Sequence, residues 1–146
     1  MHYSTLAALL TTSSFLSLGN ALPGDRRQEQ CSSIHLLVAR GSTEPQGPGQ
    51  LMSLAGRIIQ ANPGASMESI IYPAKLNPYG PSVQAGTTAV KQQLSSYVQQ
   101  CPDSKIVLLG YSQGAQIIGD ALCGGDAAGT GPVTPPLDGN ITDHGK

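Results

Sequence analysis

Charge is scarce in this chain: of its 146 residues only 12% are Asp, Glu, Lys or Arg, the formal net charge is -1, and no basic block occurs. Aromatic residues are scarcer, with a single phenylalanine and no tryptophan. Nucleic-acid surfaces are built from clustered Lys and Arg and from stacking rings, so that class is excluded. The three cysteines form no CxxC pair and the three histidines no cluster, which excludes zinc sites of ordinary spacing. No residue pattern implies a metal or an organic cofactor. Absent too is any apolar run long enough and clean enough to cross a membrane. What is plentiful is Gly, Ser, Gln, Thr and Pro, a composition shared by many small secreted proteins. The length allows one domain with a real core, not two.

The first residues sharpen this. "STLAALLTTSSFLSLGNA" has an apolar stretch, Leu6 to Leu10, continued by Phe15 and Leu16, and ends at the small residues Gly19-Asn20-Ala21. Residues 1–21 therefore read as a secretory signal peptide, although His2 is its sole basic residue. A buried first helix is the alternative, but no helical stripe and no N-cap favour it. Arg26-Arg27 reads as a dibasic site closing a short propeptide over 22–27. Secretion into an oxidising compartment suits the cysteines. Cys31 and Cys101 each stand just before a strand-like run, and if those strands are parallel neighbours the two thiols share one sheet edge and can bond. Cys123 is then left over, implying a free thiol, an intermolecular bond or a missing partner.

The remainder alternates strand and helix. "SIHLLVARG" is a β-branched apolar run stopped by Gly41. Leu51, Leu54, Ala55, Ile58 and Ile59 then make a helical stripe ended by Pro63-Gly64. "MESIIYPA" reads as a second strand cut off by a proline. A second helix is expected from Ser82 as N-cap, with Val83, Thr87, Val90, Leu94 and Tyr97 on one face. The third strand is Ile106 to Leu109, and "QGAQIIGDALCGG" is a helix closed by Gly124-Gly125. This order calls for an α/β fold, a parallel sheet of order 2-1-3 with helices on both faces. Residues 126–146 are rich in Gly, Pro and Asp and are expected to be loop. Asn140-Ile141-Thr142 is an N-glycosylation sequon.

Gly110-Tyr111-Ser112-Gln113-Gly114 fits G-x-S-x-G. The bare pattern is weak, since at this Gly and Ser content about 0.2 matches arise by chance. Its setting strengthens it. A strand runs directly in and a helix directly out, the sharp turn that pushes a serine hydroxyl out above a sheet. The helix start adds unpaired N–H groups and a positive dipole end for an oxyanion. The same junction could instead bind phosphate, or Ser112 could cap the helix. Neither G-x-G-x-x-G nor a P-loop lysine is present to support a nucleotide.

"GYSQGAQ", together with "ARGSTE" after the first strand, "CPDSKIVLLGYSQG" and "ALCGG", resembles the cutinase and acetylxylan esterase family, fungal secreted serine esterases of the carbohydrate esterase family 5-like type. "IYPA", "YGPSVQAG" and "ALCGG" are closer to the acetylxylan esterase side. The resemblance runs from about Cys31 to Gly125. It implies a small lidless α/β-hydrolase, a flavodoxin-like three-layer fold of which residues 28–125 would hold the first three strand–helix units. It implies Ser112 as nucleophile, an oxyanion hole made by the Gln113 N–H and by the N–H and hydroxyl of Ser42, and a Cys31–Cys101 disulfide. By itself Ser42 would read as a turn residue. Implied partners are esters of plant cell-wall polymers, acetylated xylan or cutin, or short acyl esters, handled by a monomer without nucleic acid or membrane.

A serine nucleophile needs a general base and an orienter. In this family Asp and His follow the serine on later loops. His35 lies mid-strand, where a satisfied histidine is the default. Asp143 and His144 are adjacent and would point to opposite sides if extended. Asp120 is on the helix leaving the serine, Asp126 just after it, and His2 in the leader. None is nominated. The sequence reading is a chain truncated before its triad partners, or an incomplete gene model, nearly inactive alone and prone to aggregate. The alternative is a non-catalytic or vestigial secreted protein on the same scaffold.

Overall fold

The computed structural model describes residues 31–125 and 133–142. The signal peptide expected over 1–21, the propeptide expected over 22–27, and His2, Asp126, Asp143 and His144 lie outside the described residues. The unit that begins at Cys31 carries the fold.

Three strands form one sheet: β1 (Ile34–Ala39), β2 (Ser66–Ser69) and β3 (Lys105–Gly110). Their order is β2-β1-β3 and both pairings are parallel, the topology expected from the sequence. In register, His35 stands beside Ser66 and Ile106, and Ala39 beside Gly110. The crossovers are α1 (Met52–Ala61), entered through a 3-10 turn at Gly49–Leu51, and α2 (Tyr79–Gln100). α3 (Gln113–Cys123) follows β3, and a short α4 spans Gly139–Thr142.

Side chains on a strand alternate between faces, so β1 serves two cores at once. Leu36 and Val38 pack with Ala55, Ile58 and Ile59 of α1 on one face. Leu37 and Ala39 pack with Val83, Val90 and Leu94 of α2 and with Ile117 and Ala121 of α3 on the other. A strand apolar on both faces is what a central parallel strand requires. The result is three layers, α1 over the sheet and α2 with α3 beneath it.

Several local expectations are corrected. Leu54, assigned to the α1 stripe, is 47% exposed, while Leu51 packs inward. β2, expected over Met67 to Ala74, ends at Ser69, with one further ladder bond from the Ile70 N–H to the Val38 carbonyl (2.8 Å). Beyond it, side chains replace the neighbouring strand. The Arg40 guanidinium takes the Ile70 and Tyr72 carbonyls (3.4 and 2.6 Å), and the Gln93 amide oxygen takes the Ile71 N–H (2.9 Å). α2 starts at Tyr79, before Ser82, because Pro81 falls in the first turn, where a missing N–H breaks no helical bond. Ser82 is therefore inside the helix and does not cap it.

Residues 133–142 are more ordered than the composition of this part of the chain suggests. Thr134 pairs with Gly125 through two 2.9 Å backbone bonds, the Leu137 N–H reaches the Ala121 carbonyl (2.9 Å), and the Leu137 side chain joins the core. Asn140 of the sequon falls within α4. Cys31 and Cys101 form the expected disulfide, with Cα atoms 5.5 Å apart, joining the residues that lead into β1 and β3. Among the described residues Cys123 is a free, exposed thiol.

Candidate active site

Because β1 and β3 are parallel and in register, the loops after Ala39 and Gly110 leave the sheet at the same carboxyl edge, where open α/β sheets place their sites. Ser42 and Ser112 are thus brought to one edge, and the Tyr111 N–H extends the ladder to the Ala39 carbonyl (3.1 Å). His35 belongs to the other end of β1.

Ser112 has φ 51° and ψ -118°, a conformation that L-residues rarely adopt and that costs on the order of 1–3 kcal/mol. Its side chain makes no capping bond to the helix, so the cap alternative is not what the turn uses, and the residue is exposed. The two flanking glycines are required by close approach. A Cβ on Gly114 would lie 2.1 Å from the Ala39 carbonyl oxygen, and one on Gly110 would lie 2.6 Å from Cα of Ala115. The turn can be this sharp only because both positions lack a side chain.

At the start of α3 the Gly114 N–H turns back to the Tyr111 carbonyl (2.8 Å), and the Ala115 and Gln116 N–H groups turn to the Ser112 carbonyl (3.0 and 3.2 Å). The N–H groups of Gln113 and Ser42 have no hydrogen-bond acceptor among the described residues. Buried N–H groups are nearly always paired, and the Gln113 residue is wholly buried. Two open donors at one sheet edge, one of them at the positive end of an eleven-residue helix, can hold a developing oxyanion.

The Ser42 loop is sewn in place by its neighbours. Buried Arg40 donates from Nε to the Glu44 carbonyl (2.8 Å) and from Nη1 to Gln46 (2.7 Å), and its guanidinium lies 4.9 Å over the Tyr72 ring. The Glu44 carboxylate accepts the Gly41 and Gln50 N–H groups (2.5 and 2.9 Å). Tyr72 donates its hydroxyl to the Arg40 carbonyl (2.5 Å). Burial pushes the Tyr72 phenol up to about 12, with the Arg40 charge working against that rise. The sequence reading missed these supports, although Arg40 and Glu44 both stand within "ARGSTE", a charged pair flanking a turn that closes an apolar strand.

His35 is satisfied where it stands, as expected. It stacks on Tyr97 (centroids 3.6 Å apart), its Nδ1 is 2.6 Å from the Ser66 hydroxyl, and its Nε2 is 3.7 Å from Glu68. Burial raises the Tyr97 phenol, but hydrogen bonds from Ser104, Ser32 and Ser66 outweigh it and hold the group below the usual tyrosine range. Asp120 is buried on α3, facing back toward Gly125. Neither residue is placed to act on Ser112: His35 is committed at the opposite sheet end and Asp120 sits two helical turns beyond the serine. Among the described residues no cluster of His, Cys, Asp and Glu could hold a metal.

Comparison with known proteins agrees with this geometry. A family model described as Cutinase matches residues 30–144. An acetylxylan esterase of Hypocrea jecorina is 40% identical over 131 residues, covering 84% of this chain and 43% of that protein. Cutinase 11 of Verticillium dahliae is 39% identical over 132 residues, covering 84% and 45%. The solved catalytic core domain of acetyl xylan esterase from Trichoderma reesei superposes with a TM-score of 0.74 at 39% identity, covering 79% of this chain and 60% of that one. The chain spans about half the length of the curated relatives it matches. A match over residues 30–144, together with the parallel strand order and the serine turn, leaves one conclusion: the chain belongs to the cutinase family.

Proposed function

We propose that this chain carries the nucleophile and oxyanion hole of a secreted carboxylic-ester hydrolase. Ser112 Oγ attacks the acyl carbonyl while the N–H groups of Gln113 and Ser42 and the Ser42 hydroxyl hold the oxyanion. The ester C–O bond then breaks, the alcohol leaves with the proton given up by the serine, and water cleaves the acyl-enzyme to the free acid and the restored serine. The observation that carries the reading is the pairing of an exposed, left-handed serine with two open N–H donors at one sheet edge. Its substrates are short acyl esters on plant cell-wall polymers, acetylated xylan first. Two of the relatives bear that activity in their names, while a cutinase of nearly equal identity keeps cutin esters as the neighbouring substrate class. Secretion is supported by the Cys31–Cys101 bond, which persists in oxidising compartments, and by the leader composition.

No general base for Ser112 stands among the described residues, and this favours a second reading, a scaffold that keeps the turn without turnover. Loss of triad members elsewhere leaves roughly 10³–10⁴ over water. On the enzymatic reading the described residues supply the serine and the oxyanion donors without a base, so Ser112 among them is organised but weakly activated. A fluorophosphonate probe separates the two. Slow labelling that maps to Ser112 and disappears in Ser112→Ala supports the enzyme; a folded chain that never labels supports the bare scaffold.

A further inference from the structure

Two loops carry the open N–H donors, and among the described residues no hydrogen bond joins Ser42 or Thr43 directly to Gln113. Both are tied to a third segment, the dipeptide Ala74–Lys75 between β2 and α2. The Ala74 carbonyl accepts the N–H of Thr43, the residue after Ser42 (2.7 Å). The Lys75 carbonyl accepts a proton from the Gln113 side-chain amide (3.0 Å). The Lys75 N–H donates to the Ser82 hydroxyl (2.8 Å), and Ser82 in turn donates to the Gln113 amide oxygen (3.1 Å). Both the nitrogen and the oxygen of the Gln113 carboxamide are thus engaged, and both Gln113 and Ser82 are buried.

Backbone conformation marks the same place. Among the described residues three non-glycine residues have positive φ: Thr43 (66°), Ala74 (51°) and Ser112 (51°). Each belongs to one of these three linked segments, and such conformations persist only where the surroundings over-determine them. For Ala74 the restraint is visible, since its methyl is buried in the core beside Tyr72 and Val83.

We infer that Ala74–Lys75 is a strut that sets the spacing between the two halves of the oxyanion hole, with the Gln113 side chain and Ser82 as positioning residues that lock it. This rests on the reading of Ser42 and Gln113 as oxyanion donors. Through the strut the Gln113 carboxamide controls the Ser42 loop, to which it makes no hydrogen bond. A preformed hole needs such a link, because an N–H aimed at an oxyanion gains its full effect only when it does not have to move.

The test uses the full chain carrying Gln113→Met, which keeps length and burial but removes the amide, and separately Ser82→Ala. Amide hydrogen exchange is followed at Thr43 and, as references, at Leu37 and Leu108 within the sheet, alongside the rate of fluorophosphonate labelling at Ser112. The expected result is exchange at Thr43 about ten-fold faster or more with Leu37 and Leu108 unchanged, and labelling slowed about 10- to 100-fold. Unchanged Thr43 exchange overturns the strut. So does loss of protection across the whole sheet in both variants, because a local strut leaves the sheet standing. Faster Thr43 exchange with unaltered labelling overturns the positioning role. If the unsubstituted chain does not label, the nucleophile reading falls, and the exchange measurement still decides the coupling.

Discussion

Ser112 holds a backbone conformation costing on the order of 1–3 kcal/mol, and the residues that permit it are the two that cannot carry a side chain. Gly114→Ala puts a methyl 2.1 Å from a backbone oxygen of β1. Helix propensity would return about 0.5–1 kcal/mol, whereas overpacking against backbone costs roughly 1–3 kcal/mol or more. The balance is destabilising, expected as a lower urea midpoint together with loss of Ser112 labelling. Tyr72 offers a pH signature. Its phenol is raised from 10.0 to about 12 by burial, so folding favours the protonated form. Its contribution is complete below the unfolded value and disappears as pH rises through the folded one. Stability measured by denaturant titration from pH 9 to 12 should fall more steeply for the native chain than for Tyr72→Phe; equal slopes would remove Tyr72 from the account.

At the scale of elements, hydrophobic period was enough to locate β1, the inner face of α2 and the α1 stripe apart from Leu54, which is exposed. The failures occurred where a side chain took over work that the pattern assigned to backbone. β2 stops at Ser69 although Ile70 and Ile71 continue the apolar run, since Arg40 and Gln93 capture the polar groups a neighbouring strand would have used. Ser82 has the chemistry of a cap, but the helix begins earlier around Pro81 and leaves its hydroxyl to the active-site loop. The disulfide is an element-scale constraint that cysteine positions anticipated. It closes a loop of sequence separation 70 and ties the lead-in to β1 to that of β3. Its loss in a Cys31→Ser, Cys101→Ser double variant should cost about 4 kcal/mol, read from urea unfolding of the two chains under the same conditions.

For the molecule as a whole, β3 has β1 on one side and, among the described residues, no strand on the other. Ile106, Val107, Leu108 and Leu109 pack with the two cores yet are only partly buried, and among the described residues β3 pairs with β1 alone. An apolar edge of this kind is a template for another strand. The chain is expected to self-associate with rising concentration across the micromolar to millimolar range, measurable by light scattering. A monomer throughout that range would contradict it. The two ends of the sheet are also unlike. The amino end gathers His35, Ser66, Ser32, Tyr97 and Ser104 into a closed hydrogen-bonded set, whereas the carboxyl end leaves two N–H donors and a serine hydroxyl open. The His35–Ser66 contact is thus not the candidate site, because the His35 Nδ1 and the Ser66 hydroxyl are engaged within that set at the end of the sheet opposite Ser112.

Sequence alone determined the strand–helix order, the parallel sheet and the serine turn. These depend on local periodicity, on glycine spacing and on which residues flank a strand, all of which are written within a few positions of one another. Tertiary structure alone decided that the N–H groups of Ser42 and Gln113 stay unpaired, that Gln113 reaches Lys75 and Ser82, and that Thr43 leans on Ala74. Those partners are separated by some thirty residues or more along the chain. No local pattern encodes them, because each is fixed by the register of β1 on β3 and by the angle at which α2 packs beneath the sheet.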